Sequence, residues 1–69
     1  MRVTVHLLPT RKETRRLDLE KGATAEQAIR ALGLLPDQWI PLRGDTPMPL
    51  DDALEDGDEL KLISVVSGG

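Results

Sequence analysis

The sequence predicts an α+β fold, a mixed sheet of four or five strands wrapped over one helix. Three features carry that prediction. Met1, Val3, Val5 and Leu7 alternate with Arg2, Thr4 and His6 at the start, the period-2 signature of a half-buried strand. A single amphipathic stretch lies near the middle, and the apolar run Glu59 to Val66 lies near the end. With one helix, only one face of the sheet can be covered.

The elements follow in order. Pro9 and the polar run Thr10-Arg11-Lys12-Glu13 turn the first strand into a second, in which Arg15, Leu17 and Leu19 alternate with Arg16, Asp18 and Glu20 until Lys21-Gly22. Thr24 stands three residues before Gln27, the spacing of a capping box. Ala25, Ala28, Ile29 and Leu32 then recur at helical intervals up to Gly33, which predicts a helix over 24–33. Trp39 to Arg43 reads as a third strand, irregular or at an edge at Pro41 because proline has no amide donor. Gly44-Asp45 is a turn, Thr46 to Met48 a short strand, Leu50 to Leu54 a single helical turn, and Asp56-Gly57-Asp58 another turn. In the last strand Leu60 and Leu62 share one face, and Lys61, Ile63 and Val65 the other. Apolar residues on both faces place that strand centrally or give it a binding patch. The first and last strands are expected to pair in parallel at the centre through a long right-handed crossover. That arrangement is the β-grasp, or ubiquitin-like, fold.

Composition narrows the function. The chain of 69 residues is one domain with a small core, whose stability margin is a few kcal/mol. We expect a folded domain over 1–66 and a flexible tail over 67–69. There is no cysteine, which excludes a disulfide framework, thiolate metal sites and a cysteine nucleophile. No long apolar run suggests a signal peptide or membrane span, so the expected compartment is the cytoplasm, with no membrane partner. Residues 1–35 hold seven Lys and Arg against four Asp and Glu, whereas 36–69 hold two against eight. The acidic C-terminal half argues against direct nucleic-acid binding and for a basic protein surface. The absence of Asn and the 30% of charged residues lean toward a thermophilic source.

The segment from Leu54 to Gly69 resembles the closing segment of the ubiquitin-like sulfur carriers: a D-G-D turn, an apolar strand and a terminal Gly-Gly. That family includes the thiamine-thiazole and molybdopterin carriers, the tRNA-thiolation carriers of thermophiles and the archaeal small modifiers. The resemblance spans the chain in length and element order, and it is nearest to the short thermophilic tRNA-thiolation carrier. It implies that Gly69 is the reacting residue, its carboxylate adenylated by an E1-like adenylating enzyme using ATP and Mg²⁺. A sulfurtransferase or other persulfide donor then supplies the sulfur of a thiocarboxylate, which passes to a sulfur-acceptor enzyme. The carrier itself binds no cofactor and no metal and is not an enzyme. The same adenylate offers a second function, modification of lysine-bearing target proteins. A third reading is a β-grasp adaptor that never uses its terminus.

Gly68 and Gly69 suit passage through a narrow channel, since they lack Cβ atoms. Ordering a free tail costs about 1 to 2 kcal/mol per residue, so docking elsewhere must offset it. The expected docking patch joins Ile63, Val65, Val66 and Ser67 to Leu8, and to Trp39 and Pro41 when Ile40 and Leu42 point inward. Trp39, the only aromatic, is equally suited to be a core residue. His6 on the polar side of its strand reads as a solvated side chain. The cluster Arg11, Lys12, Arg15 and Arg16 reads as a solubilising turn, with contact to RNA or an acidic partner as its functional alternative. The acidic run 51–59 fails as a calcium loop, because fitting Gly57 to the loop glycine puts Leu54 and Ile63 at ligand positions. It is either a solvated surface or a contact for basic residues of the adenylating enzyme.

Overall fold

The computed structural model describes residues 1–8 and 13–65. Strands β1 (Arg2–Leu8) and β2 (Glu13–Asp18) precede helix α1 (Ala25–Ala31), a 3₁₀ turn (Pro36–Gln38), β3 (Trp39–Arg43), β4 (Thr46–Pro47) and β5 (Glu59–Ser64). They form one mixed sheet in the order β2-β1-β5-β3-β4. β1 and β5 run parallel at its centre, with Val5 beside Leu60 and Leu7 beside Leu62. The remaining pairs are antiparallel. The expected tail, 67–69, lies outside the described residues, as does Val66 at the end of the expected last strand.

The core forms where the alternation of β1 and β5 meets the apolar stripe of α1. Val3, Val5 and Leu7 pack with Leu60 and Leu62 on one sheet face, against Ala25, Ala28 and Ile29, all at most 1% exposed. Leu17, Leu19, Leu32 and Trp39 close its rim. The alanines are what let the short helix lie close to the sheet.

Both ends of α1 are capped, which suits a helix too short to be stable by itself. Thr24 Oγ1 accepts from the Gln27 amide at 3.3 Å, and Gln27 Oε1 accepts from the Thr24 amide at 2.8 Å. At the other end Gly33 sits at φ +77°, and the amides of Gly33 and Leu34 bond the carbonyls of Arg30 and Ile29. This is a Schellman stop, and only glycine takes that conformation without strain.

The segment Leu50 to Leu54 corrects the expectation of a helical turn. Its carbonyls at Leu50 and Asp52 accept from the first two amides of α1, and the Leu54 amide donates to Ala23 at 2.8 Å. Backbone groups spent on the start of α1 cannot close a helix of their own. The 3₁₀ turn was not anticipated; Pro36 at its first position is pre-set for helical entry.

Proline also explains why β4 is two residues long. The bond from the Val65 amide to the Gln38 carbonyl sets the phase of the β3–β5 ladder, so that Ile40 and Leu42 bond β5 and Pro41 faces β4. The Met48 amide donates to the Pro41 carbonyl at 3.0 Å, but Pro41 has no N–H to return. The ladder stops there.

Candidate functional site

The D-G-D turn fixes the start of the central strand. Asp56 Oδ1 accepts from the Arg2 amide at 2.7 Å, and the Gly57 amide donates to the Arg2 carbonyl at 2.8 Å. Asp58 Oδ2 accepts from the Glu55 amide at 2.8 Å and from Arg43 Nη2 at 2.9 Å. The Asp58 hydrogen bond is the main reason the Arg43 guanidinium holds its proton more tightly than an ordinary arginine; desolvation opposes it, and the charges of Asp58, Glu55 and Asp52 add to it. One turn thus ties β1, β3 and β5 together. Among the described residues no group of three or more His, Asp or Glu side chains is placed to hold a metal ion.

From that anchored end β5 runs through the middle of the sheet for about 20 Å, at roughly 3.3 Å per residue, to Val65. The Val65 amide donates to the Gln38 carbonyl at 2.9 Å, the last described tie before residues 66–69. Here the outer face of the sheet is apolar. Leu8, Ile63 and Ile40 are register partners across β1, β5 and β3. Leu42 lies two residues further along β3 on the same face, and Val65 is 45% and Ile40 40% exposed. Toward the D-G-D end the same face turns polar. His6 Nδ1 is 3.1 Å from Thr14 Oγ1 and its Nε2 3.8 Å from Glu59, while Lys61 Nζ is 3.2 Å from Asp45.

Leu8, Ile63 and Val65 therefore share the outer face, but Trp39 and Pro41 do not join them. Pro41 pairs with Leu62 and Ile40 with Ile63, so Pro41 and Trp39 turn to the helix side, Pro41 buried and Trp39 packed on the core. Ile40 and Leu42 take the outward places. The sequence held no contrast to decide this, because all four side chains are apolar and a one-residue change of register inverts every face. Ile40 and Leu42 were missed for that reason. Val66, Ser67, Gly68 and Gly69 lie outside the described residues.

The sequence model of the small archaeal modifier protein 2 family matches residues 1–66. The chain belongs to that family. Sulfur carrier protein TtuB of Thermus thermophilus is 32% identical to it over 69 residues, covering 100% of both chains. Protein RnfH of Sodalis glossinidius is 43% identical over 65 residues, covering 84% of this chain and 69% of its own. Among solved structures, the crystal structure of SAMP1 from Haloferax volcanii superposes with a TM-score of 0.78 at 28% identity, covering 100% of both chains. The Caldiarchaeum subterraneum ubiquitin does so with a TM-score of 0.75 at 18% identity, over 100% of this chain and 98% of its own, a likeness of fold alone. The chain is thus a member of the ubiquitin-like sulfur carrier and small archaeal modifier family. No described helix is long and apolar enough to cross a membrane.

Proposed function

We propose that the protein is a sulfur carrier whose Gly69 carboxylate is activated as an acyl-adenylate and converted to a thiocarboxylate. The observation that carries this reading is the outward apolar row of half-buried Leu8 and Ile63 and exposed Ile40, at the end of β5 next to Val65. Four residues reach at most about 14 Å when extended, so an enzyme acting on Gly69 must sit within that distance of Val65. The apolar row is the surface it would cover first, and burying it stabilises the complex. The whole-length match to a sulfur carrier supports the same reading.

The chemistry needs no side-chain nucleophile on this chain. A free carboxylate is a poor electrophile. In the proposed sequence the Gly69 carboxylate attacks the α-phosphorus of ATP on an E1-like enzyme, with Mg²⁺ and loss of pyrophosphate. A persulfide from a sulfurtransferase attacks the acyl carbon and expels AMP, and a thiol reductant cleaves the resulting acyl disulfide to the thiocarboxylate. A cytoplasmic acceptor enzyme then takes the sulfur, with 2-thiouridine formation in tRNA as the favoured destination and thiazole or molybdopterin synthesis as alternatives. Adenylate formation, followed as ATP–pyrophosphate exchange with the adenylating enzyme of the same organism, tests the reading; no exchange with the full chain would reject it.

The family match favours a second use of the same adenylate, attack by a lysine Nζ to leave an isopeptide bond at Gly69. Lysine adducts on proteins recovered from the source cells would support it.

A further inference from the structure

The two edges of the sheet differ in what they offer. β4 is two residues long and stops at proline, so it cannot template another strand. β2 has six residues and no proline. The Met1 N-terminal ammonium donates to the Leu19 carbonyl and the Leu19 amide to the Met1 carbonyl, both at 2.8 Å, which sets the phase of the β1–β2 ladder. By the alternation of antiparallel pairs, residues 13, 15 and 17 bond β1, while Thr14, Arg16 and Asp18 aim both N–H and C=O away from the sheet. Three donors and three acceptors thus stand along an exposed edge.

Side chains decide what can pair there. Arg15 lies on the helix side, 3.3 Å from Glu13, and Arg16 lies on the outer face, with no carboxylate partner among the described residues. A second copy adding in antiparallel fashion has two registers that pair most of the strand. One sets Arg16 against Arg16 and the other Arg15 against Arg15, and like charges directly opposite are destabilising. The helix side next to this edge is different again. A cleft of about 310 Å³ lies between the end of β2 and the first turn of α1, lined by Leu19, Ala23 and Gln27 among others.

We propose that the β2 edge binds an extended acidic segment of a partner protein by strand addition, with acidic residues beside Arg16 on the outer face and apolar residues toward Leu17, Leu19 and the cleft. Backbone bonds to Thr14, Arg16 and Asp18 supply the pairing, and Arg16 selects the charge. This surface is separate from the apolar row and works whether or not Gly69 is activated. A carrier could therefore be recognised by a second protein while its outer face and tail are engaged.

The test uses the full chain labelled with ¹⁵N and an acetylated, amidated seven-residue peptide of alternating Glu and Val. Saturable amide shifts centred on Thr14, Arg16 and Asp18 are expected, with slowed exchange at those three amides. Arg16→Ala should weaken binding roughly threefold to fivefold, the scale of one exposed ion pair, and Arg16→Glu more strongly. A Lys-for-Glu peptide should not bind, and a peptide N-methylated at its ladder positions should lose the interaction while keeping its charge. Removing Gly68 and Gly69 should change nothing. Shifts centred on Ile40 and Ile63, equal binding of the N-methylated peptide, or no saturable shift at millimolar peptide would each overturn the proposal.

Discussion

Replacing Ile40 by Ala separates the outer face from the core more sharply than any other single change. Ile40 is 40% exposed and pairs with Ile63 on the face away from α1. Full burial of an isoleucine contributes roughly 1.5–3 kcal/mol, so about 1 kcal/mol remains to be gained when a partner covers the exposed fraction. Losing it should raise KM for the adenylating enzyme about fivefold with kcat unchanged, the pattern of an interaction made equally in ground and transition states. Leu62→Ala on the opposite face is the contrast: Leu62 is 1% exposed, and its loss should cost about 2–5 kcal/mol of stability. Steady-state pyrophosphate release reads the first effect and urea unfolding the second. An unchanged KM for Ile40→Ala, in protein whose unfolding midpoint is close to that of the parent, would refute the assignment of this face to docking.

Three further outcomes follow from the frame that holds the site. Asp58→Ala removes the acceptor for the Glu55 amide and the carboxylate facing Arg43, and should lower stability by about 2 kcal/mol in urea unfolding. Thr24→Ala removes the acceptor at the start of α1 and should cost about 1 kcal/mol, read in the same way. Gly57 has φ +87° and open space around an added Cβ, so Gly57→Ala should cost only the backbone strain, about 1–2 kcal/mol, with native circular dichroism retained.

Where local chemistry and global fold agree, the sequence was readable. The capping box at Thr24 and Gln27 and the glycine stop at Gly33 marked the helix because each is a specific hydrogen-bonding device. The alternation of β1 and the two apolar faces of β5 pointed to the central parallel pair, since a strand apolar on both faces is either central or carries a patch, and β5 does both. The outer face of the sheet was readable as far as Leu8, Ile63 and Val65, whose outward placement follows from the same alternation. It failed at β3, where Trp39, Ile40, Pro41 and Leu42 are all apolar and the register with β5 alone decides which pair faces out. It failed also at Leu50 to Leu54, whose partners lie at the start of α1, far away in sequence.

Intact mass reads the chemistry proposed at Gly69 without any intermediate assay. The full chain would be incubated with ATP, Mg²⁺, a persulfide donor, a thiol reductant and the adenylating enzyme of its own organism. A mass gain equal to sulfur replacing one oxygen is expected, located by fragmentation on the C-terminal peptide and absent without ATP. An unchanged mass, with the enzyme shown to be active on another carrier, would contradict it.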